Sequence, residues 1–190
     1  MASAESGRSH AISRSVDGFT LIELMVTVAL LAILVTLAAP SFQEMTNRNN
    51  LVSGTNEMIA LLQNGRLEAV RRNERVEVCP TSNGSTCSGT NDWRRVVMRD
   101  RDGAVLRDFE LNARLTARGS SKVGNKIFFR PDGLAREGSD PGVVLNGVME
   151  ICIDVDRPEQ NARHVSISGA RISTDAPVTS SSCTATVPNA

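Results

Sequence analysis

The sequence has no tyrosine, one tryptophan (Trp93) and five phenylalanines in 190 residues. So few rings exclude an aromatic platform for stacking bases or sugars. Histidine is nearly missing as well. His10 and His164 are the two present, too few for a histidine-based metal centre. Lysine is confined to Lys122 and Lys126, beside 19 arginines. Neither sign of charge is in excess: 21 basic against 21 acidic residues give a net charge of zero. That excludes a polyanion binder that works through a global field or a basic tail. Catalytic signatures are missing too. There is no G-x-S-x-G, no P-loop, no G-x-G-x-x-G after a strand, and no cysteine–histidine pair with free thiols. Asp154 and Asp156 are close in sequence, but carboxylates so placed near the end of an alternating strand are ordinarily solvated. The residues predict a non-enzyme with no cofactor and no metal site.

What the chain does have is one long apolar run. From Phe19 to Ala39 it reads FTLIELMVTVALLAILVTLAA, with Glu23 as its single charge and no glycine or proline before Pro40. Twenty-one residues of helix at about 1.5 Å each cross a hydrocarbon layer of roughly 30 Å. A secretory signal peptide has an apolar core of about 7–15 residues with small residues after it. Here the run is longer and Gly18 precedes it. Arg8 and Arg14 lie ahead of the span, and no Lys or Arg follows until Arg48. The positive-inside rule then puts the N-terminus in the cytoplasm and the rest of the chain outside.

The cysteines fit export. Cys79, Cys87, Cys152 and Cys183 form an even set, all beyond the span. Cys79 and Cys87 bracket CPTSNGSTC, a turn-forming segment that brings the chain back on itself. They are expected to pair, leaving Cys152 with Cys183. No C-x2-C spacing exists for zinc.

Beyond Pro40 a helical stripe continues through positions 51, 55, 58, 62, 65 and 69, flanked by Val52, Ile59 and Val70. One helix of about 55 residues is therefore expected, bent at Pro40 and ending near Asn73. Short alternating runs follow and predict strands at 75–79, 93–99, 104–111, 126–130, 148–155 and 163–168. DRDG at 100–103, RPDG at 130–133 and Ser168-Gly169 mark turns. Asp100–Gly103 is read as a plain turn, because an EF-hand would put its first ligand at Met98. The tail from Thr174 is expected to be extended and tied down by Cys183. The fold class is α+β: a long N-terminal helix, transmembrane in its first half, packed by its second half on a mainly antiparallel sheet head.

The segment Gly18-Phe19-Thr20-Leu21-Ile22-Glu23-Leu24-Met25-Val26 closely resembles the N-terminal motif of type IV pilins and of type II secretion pseudopilins. The resemblance implies a leader over 1–18, cut by a prepilin peptidase between Gly18 and Phe19, with N-methylation of Phe19. It also implies an assembly helix over 19–40, an amphipathic second half over 41–74, and a disulfide-stapled head over 75–190. Glu23 and Pro40 match assembly positions of the motif. Glu23 can pair with a neighbouring subunit's amine once packed helices replace lipid.

A second resemblance runs from Arg48 to Pro80 and through CIDVDRPEQNARHVSISGARIS, toward minor pilins of the FimT/FimU type and pseudopilin H (GspH). It implies a pilin-like protein, with a pilin fold, that primes or caps a type IV pilus; the alternative is a pseudopilin H of type II secretion. Its expected partners are other major and minor pilins or pseudopilins, the prepilin peptidase, the inner-membrane assembly platform and membrane lipid. Its expected location is the inner membrane, with a periplasmic head, and then the filament. Some FimT-like members bind DNA through a G-R-x-R motif. Here Ala170 stands where that motif has glycine and Ser173 where it has its second arginine. DNA binding is therefore the disfavoured reading, with Arg157, Arg163 and Arg171 as its contacts.

Overall fold

Thr20 sets where the long helix begins. The computed structural model describes residues 18–181, 183 and 187, so of the expected leader only Gly18 falls within it, and Arg8, His10 and Arg14 lie outside. Helix α1 runs Leu21–Arg72 and contains Pro40. The backbone N–H of Glu23 donates to Thr20 Oγ1 at 3.2 Å, and that of Leu24 to the Thr20 carbonyl at 3.1 Å. Thr20 is thus the N-cap and Glu23 the third helical residue, where a carboxylate favours the positive end of the helix dipole.

At the other end Asn73 takes a left-handed conformation with φ 52°. The N–H of Asn73 donates to Val70 and that of Glu74 to Ala69, a Schellman cap. Asn is one of the few non-glycine residues that tolerates this φ.

Two compact units divide the chain, Met1–Ser41 and Phe42–Ala190. In the first, every described residue is exposed.

The second unit is built on the other part of α1. All six positions of the predicted stripe, Leu51, Thr55, Met58, Leu62, Gly65 and Ala69, are buried, and Gly54 and Leu61 join them. The flanking Val52 and Val70 are exposed. Nine strands follow: β1 Val76–Pro80, β2 Arg95–Arg99, β3 Val105–Glu110, β4 Leu115–Gly119, β5 Ile127–Phe129, β6 Ala135–Glu137, β7 Asn146–Ile153, β8 Ala162–Ser168 and β9 Arg171–Thr174. They form a five-stranded sheet in the order β3-β2-β1-β5-β6 and a four-stranded sheet in the order β4-β7-β8-β9. Every pairing is antiparallel.

Helix stripe and both sheets share one core, with Val76, Val78, Met98, Ile127 and Phe129 from the first sheet and Leu115, Met149, Ile151, Val165 and Ile167 from the second. Gly65 lets the helix sit close, since a Cβ there would meet Val78 Cγ2 at 3.1 Å and the Phe129 ring at 3.2 Å.

Strands β4, β6 and β9 were not expected from the sequence. LTARG in β4 carries an alanine and a glycine, both poor strand formers. The other two have three and four residues, too short for a period-two signal. Each is a strand because a neighbour supplies its hydrogen bonds.

Strand β7 is buried on both faces. The tail covers the second face: Cys152 is bonded to Cys183, Ala162 and Val178 exchange two backbone hydrogen bonds, and the Asn161 side chain bonds Ser180 twice. Cys79 and Cys87 form the other disulfide, with Cα atoms 5.5 Å apart.

Candidate functional site

The residues singled out by sequence fall into two groups, one on the N-terminal segment and one on the head. On the first, nothing among the described residues lies within 4 Å of where a Gly18 Cβ would be. No described neighbour therefore crowds that position. Phe19 is 85% exposed. The helix from Leu21 is long and apolar enough to span a bilayer.

Its hydroxyls are satisfied within the helix. Thr27 Oγ1 donates to the Leu24 carbonyl at 2.9 Å and Thr36 Oγ1 to that of Ile33 at 2.8 Å. Lipid demands this of every polar group in the segment. The Glu23 carboxylate differs, for it makes no hydrogen bond or ion pair among the described residues. Pro40 has no N–H to give and lies inside α1, one residue before the boundary between the two units.

On the head, Arg157 precedes a cis peptide bond to Pro158, and its carbonyl accepts a hydrogen bond from Asn47 Nδ2 at 3.0 Å. Arg163 lies on β8 opposite Ile151, half-buried, with Nε lacking a partner. It lines a depression of about 170 Å³ with Arg48, Leu51, Val52, Gln160 and Pro177. Arg171 opens β9 opposite Ser168, across the tight turn in which Gly169 has φ 58°. It makes no ion pair among the described residues. Five residues of β8 separate Arg163 from Ser168, a strand length of roughly 17 Å. Arg171 therefore lies at the opposite end of β8 from Arg163, and the three candidates do not converge on one phosphate.

The structure brings other groups together. Arg75, Arg101 and Arg130 line a depression of about 440 Å³ that sequence spacing did not reveal. Glu150, 7% exposed, accepts from Ser180 Oγ at 3.2 Å and sits 3.3 Å from His164 Nε2. Serine and histidine both address the carboxylate rather than each other, so the hydroxyl has no base. The cluster anchors the tail. Asp154 and Asp156 are exposed. Asp100 Oδ1 is spent on the backbone N–H groups of Asp102 and Ala104, as a plain turn requires. Glu77 lies near Cys79 and Cys87, but both sulfurs are bonded to each other.

An exposed apolar helix whose continuation packs on antiparallel sheets is the architecture of type IV pilin-like proteins, a structural class. The comparisons make this specific. Residues 54–171 match the family described as Type II transport protein GspH, and residues 13–39 match the prokaryotic N-terminal methylation motif. The chain belongs to the GspH family, whose members are minor pilins and pseudopilins. No curated protein matches it. Among solved structures it is similar to the type IV minor pilin FimU of Pseudomonas aeruginosa in two crystal forms. The first is 26% identical with TM-score 0.55, over 73% of this chain and 98% of that one. The second is 24% identical with TM-score 0.51, over 70% of this chain and 99% of that one, and shows the fold alone.

Proposed function

We propose that this chain is a minor pilin, inserted in the inner membrane by residues 19–40 with its head in the periplasm, that primes or caps a type IV pilus. A prepilin peptidase cuts it between Gly18 and Phe19 and methylates the Phe19 amine. The observation that carries this reading is the exposed segment from Gly18. No described neighbour crowds its glycine, its hydroxyls are satisfied for lipid, and its one charge has no partner among the described residues. A glycine in open space is explained by an enzyme that must reach the bond. An unpaired carboxylate in an apolar helix is explained by a cation supplied on assembly. Other pilins and the assembly platform are then its partners. The similarity to FimU favours a pilus. The family match favours the second reading, a pseudopilin H of a type II secretion system.

The test is the intact mass of the protein from cells that carry a prepilin peptidase. The mature chain is expected to begin at Phe19 with one added methyl group. Gly18→Leu is expected to leave the full-length precursor in the membrane. Unchanged processing of Gly18→Leu, or a mature chain that retains residues 1–18, counts against the reading. Deletion of the gene, scored separately for surface pili and for secreted protein, decides between the two systems.

A further inference from the structure

Strand β1 lies between β2 and β5, with Glu77 opposite Arg99 and Val76 opposite Phe129. Continuing those two registers past the strand ends sets positions 101 and 130 on either side of Arg75. Three arginines thus stand in one row across the end of the sheet, spaced by about 4.8 Å per strand. All three are exposed, and they line one depression together with Pro131 and Pro141. Arg75 is held in place, its guanidinium 4.6 Å from the centroid of the Phe128 ring.

Like charges on adjacent strands repel, and no direct ion pair offsets them among the described residues; Asp132 acts on Arg130 only at longer range. Four of the neighbouring carboxylates have partners of their own. Glu77 pairs with Lys126 at 2.7 Å, Asp132 with Arg136 at 2.8 Å, and Glu74 approaches Arg72 at 3.9 Å. Asp100 is held by its own turn. No carboxylate forms an ion pair with Arg75, Arg101 or Arg130 among the described residues.

We propose that the row formed by Arg75, Arg101 and Arg130 is a docking site for a carboxylate-rich segment of another protein subunit. Size and composition select that ligand. Duplex affinity comes largely from phosphate contacts and falls steeply with salt, and three arginines on a chain of zero net charge supply few of them. A depression of about 440 Å³ exceeds what a single small anion needs. Two proline rings give it rigid apolar walls. Arginine forks beside apolar walls are the makeup of a protein interface, and each fork can hold a carboxylate through two hydrogen bonds. The site rests on the reading of the chain as an assembling subunit.

The test uses the full chain in non-ionic detergent and a fluorescein-labelled hexaglutamate peptide at about 50–150 mM salt, a range over which surface ion pairs are still felt. The peptide measures the site without filament assembly, so its failure is distinct from a failure of processing or piliation. Arg75→Gln, Arg101→Gln and Arg130→Gln are each expected to weaken peptide binding about two- to fivefold, and the triple change at least about tenfold. Arg107→Gln on β3 is expected to leave it unchanged. Arg101→Gln, at an exposed turn, gives the answer even if the triple variant folds poorly. Three results would overturn the proposal. One is peptide binding unaffected by the changes. Another is inorganic phosphate competing as well as the peptide at equal ionic strength. The third is tighter binding of a 20-base-pair duplex that the triple change abolishes.

Discussion

Trp93 ties the approach to one sheet to the edge of the other. Its backbone N–H donates to the Ala117 carbonyl of β4, and its buried indole Nε1 donates to Asn91 Oδ1 and the Gly124 carbonyl, both at 3.0 Å. Asn91 in turn exchanges two hydrogen bonds with Gly119. Trp93→Phe removes the donor, leaves the part-buried Gly124 carbonyl short of a partner and opens a small void. The expected loss is about 2–3 kcal/mol of unfolding free energy, read by urea denaturation with circular dichroism. Acid acts on single residues as well. The Arg95 guanidinium holds the Asp108 carboxyl below its ordinary value. The Leu134 N–H, and then Arg136, do the same for Asp132. Their folded pKa values are lower than their unfolded ones, so their contribution is present above an ordinary carboxylate pKa of about 3.9 and lost as pH falls through the lowered values. The thermal midpoint is expected to hold from pH 7 to about 5 and to fall below about 4. Asp108→Asn should remove part of that fall, and an identical acid profile in the variant would rule the pair out as a contributor.

At the scale of elements, the tail after β9 behaves as a strap. Its backbone meets β8 at Ala162 and Val178, its Ser180 reaches Glu150 and Asn161, and Cys183 bonds Cys152 on β7. The bond closes a loop of sequence separation 31, against 8 for Cys79–Cys87. Chain entropy gives about 3.5 kcal/mol for the longer loop and about 2.5 for the shorter. Cys152→Ala with Cys183→Ala is therefore expected to cost more than Cys79→Ala with Cys87→Ala. Amide exchange should rise first from Thr174 onward and along β8. Equal losses from the two pairs would show that loop length does not set their ranking.

For the molecule as a whole, the two units differ in what they expose. Phe42–Ala190 buries a core that joins the helix stripe to both sheets, while the segment before it exposes Phe19, Leu21, Ile22 and the apolar residues that follow. Glu23 is the charged exception on that surface. Glu23→Val removes a charge that costs a few kcal/mol at mid-bilayer and less near the headgroups, so insertion and cleavage are expected to persist. If Glu23 pairs with a neighbouring subunit's amine as proposed, the variant is expected to lower incorporation into filaments at least about tenfold. Immunoblots of sheared surface filaments, at native expression and with total membrane protein as reference, measure both. Normal incorporation would mean that Glu23 serves only the first turn of its own helix.

The sequence by itself determined what local periodicity and solvent partition can encode. An apolar run as long as a bilayer is thick needs no tertiary partner to be read, and neither does a stripe at helical spacing; every stripe position is buried. The turns at Asp100 and Arg130 were legible because Asp and Gly carry their own turn chemistry. What only the tertiary structure decided is which strand lies beside which. LTARG becomes β4 because β7 supplies its register, and ARE becomes β6 because β5 does. The same holds for charge. Arg157, Arg163 and Arg171 look clustered along the chain, yet β8 holds Arg163 and Arg171 at opposite ends. Arg75, Arg101 and Arg130 are spread over 56 positions of sequence and meet at one end of a sheet. Helix contacts are fixed three and four residues away. Strand contacts are fixed by a partner whose distance along the chain no local pattern records.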